Sequence, residues 1–184
     1  MADEYIDILD SSGNFTGDVK LKSEAHELGL YHASVHIWLY TLNSELLFQK
    51  RASIKDTFPS LWDVSVAGHI ATGEQIELAA KREIQEEIGI DIPVKELDFI
   101  GTYFESKAPT PQIIDNEFHH VYLSQLHVPL NTLTLQKEEV SEVKLIHLNE
   151  LEQVMNDSLL DHEYVPHDKD YLHWVLKEIK NRII

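Results

Sequence analysis

Between Gly68 and Ile90 the chain reads G-H-I-A-T-G-E-Q-I-E-L-A-A-K-R-E-I-Q-E-E-I-G-I. Thr72 followed three residues later by Gln75 predicts a capping box, with a helix beginning near Gly73. Gly89 stands where a left-handed C-terminal cap is expected, so the helix should end at Glu87 or Ile88. Ile76, Ala80, Ile84 and Ile88 recur at i+4 and form an apolar stripe for a core. Glu83, Glu86 and Glu87 are spaced i, i+3, i+4, which puts their carboxylates on one helix face. Like charges that close repel unless a cation lies among them. Hard oxygen ligands with no thiolate suit Mg2+ or Mn2+ rather than zinc. A solvated acidic helix face would be the default for E-x-x-E-E alone, but Gly68, Glu74, Arg82 and Gly89 frame it too specifically for that.

The same string resembles a complete Nudix box, G-x5-E-x7-R-E-U-x-E-E-x-G-U with U apolar. Nine fixed positions match by chance with a probability on the order of one in 10^9 per start site. The resemblance implies a Nudix-type α/β/α sandwich with a mixed sheet and a strand-loop-helix catalytic motif. It further implies that Glu83, Glu86 and Glu87 bind the divalent cation that grips a diphosphate, joined by the backbone carbonyl of Gly68. Arg82 and Glu74 would hold loop and helix together, and water would attack phosphorus. The general base varies within the family and is left open here.

At 184 residues the chain is long enough for one domain with a sizeable core. A formal charge of −17 argues against a nucleic-acid partner, since phosphates would be repelled. An anionic substrate is compatible with that charge where a divalent cation inverts the local field. With no Cys, disulfides, thiol nucleophiles and zinc–thiolate sites are excluded together. No stretch approaches a membrane span, and the acidic start Met1-Ala2-Asp3-Glu4 is unlike a signal peptide, so a cytoplasmic protein with no membrane partner is expected. A small-molecule diphosphate is the expected partner, and a homodimer is compatible with the composition.

Residues 1–30 are expected to form an N-terminal extension packed on a Nudix domain of residues 31–184. Tyr5 to Leu9 is a short apolar run before a turn at Asp10 to Asn14, with Val19 to Leu21 able to pair back. Strands are predicted at Ala33–Leu42, Glu45–Arg51, Leu97–Phe104, His119–His127 and Glu142–Leu148, and helices at Asn149–Met155 and Lys169–Ile183. The first strand alternates Val35, Ile37 and Leu39 with His36, Trp38 and Tyr40, so both faces should be covered. The acidic run Lys137 to Glu142 reads as a solvated loop.

Outside the box the chain is similar to the Nudix proteins related to type 1 isopentenyl diphosphate isomerase. The carriers are Asp10-Ser11-Ser12-Gly13, His26 to His32, Leu47 to Arg51 and Lys55 to Asp63 leading into Ala67-Gly68-His69. By position, His26, His32 and His69 match the metal-binding histidines of those isomerases, and Asp115-Asn116-Glu117 resembles their acidic pair. That set implies a second metal site, whose affinity should fall as free imidazoles protonate through about pH 6.5. His119 and His120 have no such counterpart and read as structural or pocket-lining. The isomerase reaction needs a Cys beside the loop preceding the box, and this chain has Ala67 there.

The expected function is therefore divalent-metal-dependent hydrolysis of the pyrophosphate bond in a small organic, nucleoside-linked diphosphate. Lys50 and Arg51, at a strand end, are candidate phosphate contacts. Two other readings compete: an isoprenoid diphosphate hydrolase or isomerase-like enzyme, and a non-catalytic Nudix module that binds a metabolite.

Overall fold

The computed structural model describes residues 3–156 and 161–183. Its organising element is β3 (Tyr31–Tyr40), whose aromatic and β-branched residues favour a pleated strand. β3 runs parallel to β8 (Ile113–Gln125) along its whole length, from Tyr31 opposite Asn116 to Tyr40 opposite Gln125. It is antiparallel to β6 (Val66–His69) and to β1 (Tyr5–Leu9), which forms a hairpin with β2 (Phe15–Leu21). β7 (Asp98–Thr110) pairs with β8, while β4 (Glu45–Arg51) pairs with β3, β5 (Trp62–Asp63) and β9 (Val140–His147). The sheet is mixed and nine-stranded among the described residues.

The alternation in β3 separates two cores. Val35, Ile37 and Leu39 pack with Ala80, Ile84 and Ile88 of α2 (Ile76–Ile88). Trp38, on the opposite face, packs with Tyr171, Val175 and Ile179 of α4 (Lys169–Ile183) and with Leu151 of α3 (Leu148–Asn156). Helices on both faces of a mixed sheet make the expected α/β/α sandwich. No helix among the described residues is long and apolar enough to cross a membrane.

Several local expectations change. α2 begins at Ile76, not near Gly73, and no side chain caps it. The loop is instead closed by a turn in which the Glu74 N–H donates to the Ala71 carbonyl at 2.9 Å, with Gly73 at φ +73°. Glu74's carboxylate accepts from Ala71 N–H at 3.1 Å, so loop contacts replace the capping box. The C-terminal end is as expected, with Gly89 in the left-handed conformation. A short helix, α1 (Lys22–Leu28), was not expected, because its single buried residue, Ala25, leaves no apolar period to read. β7 and β8 extend well beyond the predicted strands as a long hairpin. Within the acidic run, Val140 to Glu142 belong to β9, and Glu139 turns inward to pair with Lys55.

Candidate active site

Pairing register brings the site together. Side chains at paired positions of adjacent strands share a sheet face. Glu117 lies opposite His32, and His119 opposite Ser34. His69 also lies opposite Ser34, from the β6 side, and Ala67 opposite His36. Across the hairpin, Glu105 faces Glu117 and Lys107 faces Asp115. One face thus collects residues that are scattered along the chain, and α1 adds His26 above it. All but the fully buried His32 line a cavity of about 900 Å³ that also reaches Glu83, Glu86 and Glu87 of α2.

The helix carboxylates are arranged by Arg82. Its Nε and Nη2 donate to the two Glu74 oxygens at 2.9 and 2.8 Å, and Nη2 also donates to the His69 carbonyl at 3.0 Å. Nη1 reaches Glu83 at 2.7 Å and Glu86 at 3.2 Å. Loop, strand end and helix are thereby tied through one planar guanidinium. Glu83 and Glu87 are buried, whereas Glu86 is half exposed. Burial raises the Glu83 carboxyl to about 7 despite Arg82, and the Glu86 charge adds to the rise. Glu87 is pushed well above the ordinary range by burial, then by the charges of Glu83 and Glu139. Its Oε2 accepts from Gln49 Nε2 at 3.1 Å. Buried carboxyls held this uncomfortably are suited to a cation, which would relieve both causes.

The histidines converge. His26 Nε2 lies 3.2 Å from both His32 Nε2 and His69 Nε2. Glu117 Oε1 is 3.6 Å from His32 Nε2 and 3.7 Å from His69 Nε2, and Asp115 Oδ1 is 3.7 Å from His26 Nε2. The Asp115 Oδ1 atom is buried without a hydrogen-bond partner. Nitrogen and oxygen donors facing one another at such spacings, with one oxygen orphaned, fit a divalent cation of ~2.1 Å bond length. Burial takes His26 down to about 4 and His69 well below its usual value, which keeps both imidazoles neutral. Burial also lowers His32, but the Glu117 carboxylate outweighs it and the net shift is upward. His32 Nδ1 is fixed by the Leu30 carbonyl at 2.9 Å, which turns Nε2 into the cluster.

Comparison with known proteins agrees with this geometry. A NUDIX domain model matches residues 30–175. The chain belongs to the Nudix hydrolase family. Nudix hydrolase 3 of Arabidopsis thaliana is 40% identical over 172 residues, which are 91% of this chain; the chain spans only 22% of that relative's length. Isopentenyl-diphosphate Delta-isomerase 2 of Photorhabdus laumondii is 30% identical over 157 residues, 85% of this chain and 84% of that protein. Among solved structures, DR0079 from Deinococcus radiodurans superposes with a TM-score of 0.67 at 21% identity, covering 95% of this chain and 98% of its own. The NUDIX domain of Shewanella oneidensis NrtR, solved with ADP ribose, has a TM-score of 0.57 at 18% identity, with 83% of this chain and 88% of its own covered.

The two cationic candidates separate. Arg51 lines the cavity, donating to Asp63 Oδ2 at 3.0 Å and to the Thr57 carbonyl at 3.0 Å. Lys50 is not among the cavity-lining residues; it pairs with Glu142 at 3.6 Å and lies over the Trp62 ring. Sequence reasoning missed Asp63, Glu105, Lys107, His167 and the inward turn of Glu139. Alternation along β7, where Tyr103, Glu105 and Lys107 share a face, was a signal that could have found two of them. His119 does line the cavity, whereas His120 points to the other face beside Phe99.

Proposed function

We propose that this Nudix hydrolase cleaves the pyrophosphate bond of a small organic diphosphate, nucleoside-linked, with Mg2+ or Mn2+. The observation that carries this reading is a single cavity lined by Glu83, Glu86 and Glu87 together with His26, His69 and Glu117. A divalent cation held by such donors neutralises the charge that grows on the phosphoryl oxygens. Arg82 keeps Glu83 and Glu86 aimed at the cavity, and Gly68 leaves the Glu83 carboxylate room against the strand. Arg51 and Lys55 line the same cavity and bring positive charge toward a diphosphate entering it. The ADP ribose carried by the Shewanella relative supports a nucleoside-linked substrate.

The isomerase-like reading is supported by the histidine cluster and by the isomerase relatives, but Ala67 offers no proton carrier where that reaction needs one. A metabolite-binding module without catalysis would not need the buried helix carboxylates, whose proximity is costly. The test is release of monophosphate products from a panel of nucleoside-linked, glycosyl and prenyl diphosphates, with and without Mg2+ or Mn2+. Metal-dependent release is the expected result; binding without release on every member would leave the module reading.

A further inference from the structure

Beyond the metal-binding residues, the cavity's inner wall is built from Asp63, Glu105, Lys107, His36, His119 and His167. His167, on the segment leading into α4, bridges Asp63 Oδ1 at 2.7 Å and Glu105 Oε2 at 3.2 Å. The Lys107 ammonium lies 2.8 Å from Glu105 Oε2 and 3.1 Å from His167 Nδ1. His119 Nε2 meets the same Glu105 oxygen at 3.3 Å, and the Glu105 Oε1 accepts from the Asp168 N–H at 2.8 Å. Behind them, the Tyr171 hydroxyl holds His36 Nδ1 at 2.8 Å and accepts from Trp38 at 2.9 Å.

This wall is poorly suited to a further metal ion, because its imidazoles are already engaged. The rings of His36 and His119 stack at 3.8 Å. His36 Nδ1 meets the Tyr171 hydroxyl at 2.8 Å, and His119 meets Ser34 Oγ at 2.7 Å and Glu105 Oε2 at 3.3 Å.

Nor does it suit a hydrocarbon. A prenyl chain laid against it would strip water from carboxylates, imidazoles and an ammonium and give no hydrogen bond in return. The apolar residues that line the cavity, among them Ile54, Phe58, Ile113 and Val165, lie outside this group of polar side chains. A group of fixed single charge fits no better, because acceptors and cationic donors alternate along the wall within a few bonds of each other. Hydroxyl groups match that alternation, since each donates and accepts.

We infer that the inner wall is a subsite for a hydroxylated, sugar-type group joined to the diphosphate, with Lys107 and His167 as its specificity-determining residues. The inference rests on the hydrolase reading for the placement of the diphosphate but is separable from it. Binding of non-hydrolysable methylene-bridged analogues, one glycosyl and one prenyl, is measured by calorimetry with Mg2+, alongside hydrolysis of the parent diphosphates. The glycosyl analogue should bind at least about 10^2-fold more tightly, because a hydrocarbon would desolvate the wall's charged groups without returning a hydrogen bond. Lys107→Met should weaken glycosyl binding about tenfold and leave prenyl binding unchanged or improved. His167→Gln, which keeps size and hydrogen-bonding capacity, should lose less than His167→Phe. Selective glycosyl binding without any hydrolysis would sink the hydrolase reading and keep the subsite. Equal binding of both analogues, or a Lys107→Met loss of the same size for both, would overturn the subsite, whatever the hydrolysis panel shows.

Discussion

The Glu83 carboxylate fills the space that a side chain at residue 68 would need: a Cβ added to Gly68 would lie 2.0 Å from Glu83 Cδ and 2.2 Å from its Oε1. The glycine at the end of β6 is thus required for close approach, which lets a helix carboxylate reach past the strand into the cavity. Gly68→Ala must displace that carboxylate. Overpacking of this kind costs about 1–3 kcal/mol, and a misplaced ligand should lower metal-dependent turnover by about 10^2. Thermal unfolding and a Mg2+ titration of kcat/KM check both parts. A normal Mg2+ response in this variant would move the metal site away from Glu83.

Glu87→Gln isolates the like-charge strain. Both Glu83 and Glu87 have carboxyl groups shifted upward in the folded protein. The sign is that of a raised acid: stability is fully present below the unfolded value of 4.5 and is lost as pH rises through the folded value, about 7 for Glu83. Without metal, Glu87→Gln should therefore match the native chain at low pH and become relatively more stable above pH 4.5. Saturating Mg2+ should cancel the difference, while turnover in the variant falls by about 10^2 or more. Melting temperatures of both proteins across pH 4 to 8 provide the comparison, and parallel curves would mean that Glu87 is not strained.

Arg82→Lys tests whether the guanidinium fork matters or only its charge. A lysine keeps one positive charge but cannot serve Glu74, Glu83, Glu86 and the His69 carbonyl together. The expected outcome is a lower melting temperature and a weaker apparent affinity for Mg2+, because Glu83 and Glu86 lose their common anchor. Retention of the native Mg2+ affinity would reduce Arg82 to a surface ion pair.

How much of this was visible in the chain itself follows from the range of the interactions. The α2 carboxylates and the Gly89 cap depend on spacing within one helix, so their arrangement could be read directly. The meeting of His26, His32 and His69 depends on strand register and on the position of α1, and only the family resemblance pointed to it. Glu105 was open to reading from the alternation along β7, whereas His167 joins it from the approach to α4, where no local pattern marks it. The capping box failed because Glu74 is committed to Arg82 and to the Ala71 N–H, a competition that spacing alone does not disclose.

The proton that a metal ion displaces from the histidine centre should come chiefly from His32. His26, at about 4, and His69, also lowered, are neutral at pH 7, while His32 is held upward by Glu117. Of the three imidazoles, His32 holds a proton most readily, so metal affinity should fall with pH chiefly through its protonation. Mn2+ calorimetry at pH 7 in buffers of different ionisation heat counts the proton. A Glu83→Gln, Glu87→Gln background removes the protons of the carboxylate site from that count. His32→Asn should remove most of the release together with most of the affinity, and release that this variant leaves unchanged would contradict the assignment.

Ala67 makes the last prediction. It lies opposite His36 in the β3–β6 pairing and lines the cavity with a methyl group that can neither give nor take a proton. Allylic isomerisation places a proton on one face of the alkene and removes another from the opposite face. Glu117 stands on one side only, engaged by His119 at 3.3 Å. Isopentenyl diphosphate should accordingly give no dimethylallyl diphosphate with either Mg2+ or Mn2+. Ala67→Cys should not restore the reaction, because the polar wall formed by Glu105, Lys107 and His167 would still meet the alkene where an isomerase needs apolar contact. Magnetic resonance in deuterated water decides the matter: deuterium entering the isoprenoid carbons at a catalytic rate, in the native chain or in Ala67→Cys, would show that this cavity holds a prenyl group in a productive pose.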